Sequence, residues 1–416
     1  MSHPYIIGGY QSDFSRNFSK ENKSAISLLR ELIFESLNTT KLSMKEISFL
    51  EKKGKIGVFI GNFISELYLD QSHLCGLISE VCDCFFGVPV VRNEAACASG
   101  SAAFDAACDK IKTEEFDVCI VVGYEIMKYV SSKRCGDILG YAANVTKEAK
   151  GVEFPFPTLF GKLAIETVKK YNLDEKEYFS DLAWISNNNY CNAKRNPNAQ
   201  TSKWFMSYKH ANRRNTKFNI LVGGGPLATT DCSQVTDGGA CVVLCNEASL
   251  GKYAISKSVK VLSIGHKNAP FTFADKIKDS SNSEYVLKWT KAACDEAYSK
   301  ALLKPSDIDI FELHDCFTSS EYAFLSCLGL CNPRETHNLI RDRKIAFDGK
   351  QPVNPSGGLI GAGHPVGASG IRMILDVYKQ LAHLAGNYQI QNNPKRGMVL
   401  NVGGSATTNY AIILSI

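Results

Sequence analysis

Three clusters in this chain carry side chains able to do chemistry. The first is Val91-Arg-Asn-Glu-Ala-Ala-Cys97-Ala-Ser-Gly-Ser-Ala-Ala103, a cysteine between an apolar run and a segment rich in Ala and Ser. A thiol at a helix start faces the positive end of the macrodipole, which predicts a pKa lowered toward thiolate. The small residues that follow let backbone amides approach a developing oxyanion. The second cluster, His314-Asp-Cys316-Phe, directly follows the strand-like run Ile308–Leu313, and carboxyl ends of strands are where α/β folds build sites. The third, Asn354-Pro-Ser-Gly-Gly-Leu-Ile-Gly-Ala-Gly-His364-Pro-Val-Gly-Ala-Ser-Gly370, holds six glycines around one histidine. It has neither the Walker spacing with its Lys nor GxGxxG after a strand, so its glycines read as a place where a bulky ligand passes close to backbone. Taken singly, each cluster also has a plainer reading: a packed thiol, a turn histidine, a flexible loop.

The elements that must position them alternate. Buried-strand runs at 55–60, 88–91, 118–122, 241–245, 308–313, 398–402 and 410–414 intersperse with helical patterns near 24–37, 99–111, 283–302, 318–328 and 367–385, and a first strand begins near Tyr5. That alternation predicts a layered α/β fold with largely parallel strands. Ala98-Ser99-Gly100 and Ala368-Ser369-Gly370 each open a helix after a loop with a reactive residue, and each helix leads to a strand ending in glycine, Gly123 and Gly403-Gly404. This is a weak internal repeat. Residues 129–230 differ: they are rich in Asn, Lys and Tyr, lack clean strand runs, and carry 15 Lys+Arg against 8 Asp+Glu. A local balance of about +7 suits a phosphate-bearing small ligand, or equally a solvated surface.

Composition narrows the class. With 416 residues, 44% hydrophobic and 21% charged, the chain reads as a soluble globular protein of two or three domains. The net charge of +5 is too small to point to nucleic acid, and no run of about 18 apolar residues suggests a membrane span. Fifteen cysteines, an odd number placed mostly in apolar runs, read as small hydrophobes in a reducing compartment. Cys82/Cys84 and Cys327/Cys331 lack a second pair at ligand spacing, so no metal is expected. Polar residues by Ser12, Asp13 and Arg16 argue against a signal peptide, and the final Leu414-Ser415-Ile416 is not of the peroxisomal Ser-Lys-Leu type, so a cytoplasmic location is expected.

Together, Cys97-Ala-Ser-Gly, His314-Asp-Cys-Phe and Gly363-His-Pro, in this order and separation, resemble the thiolases, and the His-Asp-Cys-Phe variant resembles their sterol-carrier-protein-2 type branch. Asp231-Cys-Ser-Gln-Val-Thr-Asp237-Gly-Gly is similar to the segment leading back from that family's inserted loop domain. The resemblance implies two similar βαβαβαββ halves in an α-β-α-β-α arrangement: residues 1–128 plus 231–252 and residues 253–416, with 129–230 inserted. It implies that Cys97 takes the acyl group as a thioester, that His364 activates Cys97, and that His314 and His364 polarise the thioester oxygen of the second substrate. Cys316 would move the α-carbon proton, because the C-terminal segment Asn401-Val-Gly403-Gly404 lacks the Cys-x-Gly of most thiolases. The amides of Cys97 and Gly403 would form the other oxyanion hole. Claisen chemistry needs such a set: a soft nucleophile that also leaves well, a base near the α-carbon and donors for two oxyanions. Coenzyme A and acyl-CoA are the implied substrates, with no permanently bound cofactor, a homodimer, and in some bacterial and archaeal relatives a small partner protein. Where sterol-carrier-type relatives read Lys-Asn-His, this chain reads Asn188-Asn189-Tyr190, near the expected acyl tail, so chain length and branching stay open.

Two other readings compete. A decarboxylating ketoacyl-synthase-like condensing enzyme also uses one Cys and two His but has no need of Cys316. A non-catalytic acyl-CoA-binding subunit of a larger complex would need none of the four.

Overall fold

The computed structural model describes residues 2–255 and 257–416. Nine strands occur among them: β1 (Pro4–Gln11), β2 (Ile56–Gly61), β3 (Val90–Asn93), β4 (Val118–Glu125), β5 (Gly238–Asn246), β6 (Val259–Asn268), β7 (Ile310–Leu313), β8 (Arg396–Gly403) and β9 (Thr408–Ser415). Their order is β3-β2-β4-β5-β1-β6-β9-β8-β7. β2 runs parallel to β3 and β4, and β7 parallel to β8, while β5, β1, β6 and β9 pair antiparallel with their neighbours. Among the described residues two pairs, Tyr5–Lys260 and Ile6–Val259, join β1 to β6. The seam between the two halves is therefore narrow. The halves match in topology, except that the counterpart of edge strand β3 shrinks to one bridge, Val353 beside Phe311.

Helices layer the two half-sheets. Helix Ala25–Asn38 packs on β1 and β5, and helix Lys288–Ala301 on β6 and β9, forming the outer layers. The first is capped by the Ser24 hydroxyl and buries Leu28, Leu29, Leu32, Ile33 and Leu37, the i, i+3, i+4 stripe of a helix with one covered face. Two central helices, Ser99–Lys112 and Ser369–Ala382, pack between the half-sheets and against each other. The second is buried on all sides, which only a middle layer requires. A Cβ on Gly370 would lie 2.5 Å from the Ser101 amide nitrogen, and one on Gly100 2.9 Å from the Gly367 carbonyl. The glycines of the repeated Ala-Ser-Gly tripeptides let the two helix starts touch backbone to backbone.

Between β4 and β5 the chain forms no strand; it folds as helices, chiefly Pro155–Tyr171 and Glu175–Ala193. β6 is a strand absent from the sequence reading, and its alternation is interrupted by a register shift between Val261 and Ser263. The helix expected from 283 begins at Lys288. No described helix is long and apolar enough to cross a membrane.

Candidate active site

Cys97 sits in the elbow between β3 and the first central helix. Ala96, before it, has φ of 51°, the left-handed backbone that turns the chain sharply so that the thiol faces inward. Ser99 holds this turn: its hydroxyl donates to the Ala96 carbonyl (2.6 Å) and accepts from the Ala95 amide (2.9 Å). In the other half, Ser369 plays the equivalent part for His364, whose Nδ1 lies 2.6 Å from the Ser369 hydroxyl. That hydroxyl also donates to the Pro365 carbonyl (3.1 Å), which leaves its oxygen to accept from Nδ1–H and leaves Nε2 of His364 as a lone pair.

The glycine-rich stretch is shaped by a carboxylate. Asp315 turns away from the thiols and accepts the Leu359 amide (2.6 Å) and the Ile360 amide (3.2 Å), at the start of the turn Gly358–Ala362. Gly358 has positive φ, and a Cβ there would meet the Asp315 carboxylate at 2.2 Å. Asn189, on helix Glu175–Ala193, bridges Asp315 (2.9 Å) to Glu321 (2.7 Å), so the inserted segment braces the loop that carries His314 and Cys316. Phe317 stacks on Phe160 of the other long inserted helix, with ring centroids 4.7 Å apart.

The fold brings the sequence-nominated side chains together. Ligand atoms of Cys97, His314 and His364 all lie within 4.8 Å of one another. The two imidazoles meet edge to face at 5.1 Å, and Cys97, Cys316 and His364 line one cavity of about 240 Å³. Its walls are otherwise mainly apolar, with Phe63, Met127, Leu139 and Phe156 among them beside Ser132, Thr229, Ser233 and Gln234, and no described Lys or Arg lines it. Tyr190 is not among the lining residues; it is buried beside Cys232, which is.

One expectation is corrected. Cys97 is not a resting thiolate: burial pushes its thiol up to about 12, outweighing the amides of Gly404 and Cys97 itself, which pull it down. Besides its own, the amide that reaches the Cys97 sulfur is that of Gly404, next to Gly403 in the chain. A Cβ on Gly403 would sit 2.1 Å from the Ala95 carbonyl, so only glycine lets β8 pass the elbow. Both histidines are held neutral. Burial lowers His364 to about 3 and takes His314 well below the usual histidine range, with the Arg372 guanidinium adding to both. Burial likewise drives Cys316 upward, and the nearby Cys97 adds to it.

Reasoning from sequence missed several members of the site. Arg372 is fully buried beneath it, paired with Glu312 (3.2 Å) and Asp376 (3.0 Å). Thr236 accepts the His364 amide at 2.9 Å. Asn401, noted only for not being a cysteine, places its amide nitrogen 2.9 Å from Nδ1 of His314. The trio Cys97, His314 and His364 is also spaced as three metal ligands. Yet an amide N–H on Nδ1 of His314 leaves the proton on Nε2, so that ring presents a hydrogen rather than a lone pair.

The family model described as "Thiolase C-terminal domain-like" matches residues 273–416, and "Beta-ketoacyl synthase, N-terminal domain" matches residues 28–140. The chain is 30% identical over 420 residues to "Acetyl-CoA acetyltransferase" of Methanocaldococcus jannaschii, covering 99% of this chain and 98% of that one. The chain belongs to the thiolase superfamily. Within it the type is that of the sterol-carrier-protein-2 thiolases: "Sterol carrier protein 2" of Gallus gallus is 28% identical over 325 residues, covering 76% of this chain and 57% of the relative. The solved structure "Ltp2-ChsH2(DUF35) aldolase" shares the fold at a TM-score of 0.77 and 17% identity, covering 99% of this chain and 97% of that one. The thiolase fold carries a thiolase-like acyltransferase activity at the level of the family.

Proposed function

We propose that this thiolase cleaves 3-ketoacyl-CoA with free coenzyme A, or runs the reverse Claisen condensation, through an acyl thioester on Cys97. The observation that carries this reading is the cluster of Cys97, His314 and His364 within 4.8 Å, with Cys316 lining the same cavity as Cys97 and His364. In thiolysis, the Cys97 sulfur attacks the 3-keto carbon while Nε2 of His364 takes its proton. Because burial disfavours both charged forms, the proton moves with the attack. The amides of Cys97 and Gly403 would hold the oxyanion that forms, with the Gly404 amide beside the Cys97 sulfur. The C2–C3 bond then breaks. Its electron pair passes to an enolate whose oxygen meets Nε2–H of His314, and Cys316 delivers a proton to C2, releasing acetyl-CoA. A second coenzyme A attacks the Cys97 thioester, leaves with the shortened acyl group, and restores the thiol.

Within this reading, residues 129–230, between 1–128 plus 231–252 and 253–416, supply the cavity wall Phe154–Pro157 and present their basic surface to the phosphates of coenzyme A. A homodimer in the cytoplasm is the proposed setting. A small partner protein is proposed too, since the structural neighbour is described together with ChsH2(DUF35). The match of residues 28–140 to a ketoacyl-synthase domain favours a second reading, a decarboxylating condensing enzyme. Thiolysis of acetoacetyl-CoA and of longer and branched 3-ketoacyl-CoA with free coenzyme A tests the first. Turnover, with one acyl adduct on the intact protein that vanishes in Cys97→Ser, supports it; turnover only with malonyl-type substrates overturns it in favour of the second.

A further inference from the structure

Asn401 occupies β8 at the position where most thiolases carry their second cysteine, and its side chain is fully engaged. Its Oδ1 accepts from the Ser101 hydroxyl at 2.7 Å, and its Nδ2 lies 3.3 Å from the Cys97 carbonyl and 2.9 Å from Nδ1 of His314. A backbone carbonyl can only accept, so Nδ2 is the end that faces Cys97, and its second hydrogen points at Nδ1 of His314. Nδ1 is then an acceptor, and the single proton of a neutral imidazole sits on Nε2. Nε2 is buried without a hydrogen-bond partner among the described residues, in a ring that has a nitrogen within 4.8 Å of the Cys97 sulfur and of a His364 nitrogen. His364 is wired the opposite way, with Nδ1 on Ser369 and Nε2 bare.

Resting on the thiolase reading above, we infer that Asn401, oriented by Ser101, is a positioning residue that locks His314 in the Nε2–H tautomer and so makes it a hydrogen-bond donor for the substrate oxygen. The two histidines of the site, similar in type and burial, are thereby given different work: His364 takes a proton and His314 holds an oxyanion. The charged and titratable groups facing His314 are His364, Cys97 and Arg372, with Asp315 next in the chain. None of them offers Nδ1 a proton. Asn401 does.

The substitution Asn401→Asp keeps the shape and exchanges the donor for an acceptor, so a neutral His314 must place its proton on Nδ1 and leave Nε2 bare. Thiolysis kcat should fall on the order of 10²–10³-fold at pH 8.5, the loss expected for one oxyanion donor, with little change in KM. It should recover at least about tenfold toward pH 6.5, as the new carboxylate lets His314 take a second proton and regain Nε2–H. Asn401→Ala, which leaves both tautomers open, should lose less than Asn401→Asp at high pH and show no such recovery. Equal, pH-independent losses in both would make Asn401 a packing residue and overturn the inference. A readout independent of turnover is long-range ¹H–¹⁵N NMR of protein labelled with [¹⁵N]histidine, with His314 assigned through His314→Asn. A protonated Nε2 and bare Nδ1 in the unmodified protein, inverted in Asn401→Asp, supports the assignment; a protonated Nδ1 in the unmodified protein overturns it. If the tautomer is as stated but no thioester is cleaved, the functional reading fails and this one stands. If thiolysis occurs with Nδ1 protonated, this one alone fails.

Discussion

The carboxylate of Glu125, at the end of β4, accepts the amide of Gly367 across the two halves of the molecule at 3.1 Å. The same carboxylate accepts the Phe63 amide (2.9 Å), the Ile64 amide (3.3 Å) and the Asn62 side-chain amide (3.2 Å). Gly367 lies three residues past His364, and a Cβ on it would sit 2.7 Å from the Asn62 Cα. One buried acid thus ties the His364 loop to the loop after β2.

Burial raises Glu125 to about 7, against four donors that favour its charge. An acid whose native pKa lies above its unfolded value stabilises fully below the unfolded pKa and loses that contribution as pH rises through the native one. Unfolding free energy of the unmodified protein relative to Glu125→Gln should therefore decline between pH 4.5 and 7, by of order 3 kcal/mol at about 1.4 kcal/mol per pKa unit. Urea titrations of both proteins across that range measure it; parallel curves would refute it.

A thiol pushed up to about 12 should react slowly in the resting protein. Alkylation of Cys97 by iodoacetamide, followed by peptide mass, should be more than tenfold slower at pH 8 than that of a free cysteine, whose pKa is about 8.5, and should climb through pH 10 without a plateau. A plateau near pH 7 would mean that the helix dipole outweighs burial after all.

Cys316→Ala should separate the two half-reactions. The variant should still accept an acyl group on Cys97 from a simple thioester, yet lose on the order of 10²–10⁴-fold in condensation and thiolysis, and lose exchange of the acetyl-CoA α-protons with deuterated solvent. Exchange at the unmodified rate would assign the proton to another base.

His364 is held near 3 where an unfolded histidine titrates near 6.5, so the native state refuses a proton that the unfolded state binds. Its depressed pKa costs stability as pH falls below about 6.5. His364→Asn should flatten that acid limb in a comparison of melting temperatures at pH 7 and pH 4.5. The variant should also abolish acylation of Cys97 by acetyl-CoA at every pH.

No described Lys or Arg lies on the cavity wall, so any contact of the positive charge of residues 129–230 with coenzyme A falls outside the cavity. Affinity for coenzyme A should weaken with salt more steeply than affinity for a dephosphorylated pantetheine analogue, as calorimetry at 0.05 and 0.5 M salt would measure. Equal slopes would leave that charge as solvated surface.

Local signals carried far in this chain. Apolar runs such as Val118–Val122 and Cys241–Cys245 marked strands because both faces of β4 and β5 are buried, and a fully buried strand needs no alternation. Cys97, His314, Cys316 and His364 were legible because each stands in a loop whose residue types serve the turn as well as the chemistry. Helix Glu175–Ala193 was not legible, because polar residues interrupt the side it buries: among Tyr178, Leu182 and Ile185 stand Asp181, Ser186, Asn189 and Asn192, the last two bonded to Asp315, Glu321 and the Asn354 carbonyl. Hydrophobic periodicity cannot announce a face that is held by hydrogen bonds. Other properties belong to tertiary structure alone. The sign of the Cys97 shift depends on how much protein covers it, the tautomer of His314 on an amide 87 residues away, and the Glu125 clasp on a glycine 242 residues away. Spacing along a chain says which groups stand ready to meet; solvent exclusion and donor geometry, which exist only after packing, decide their charge and the direction of each proton.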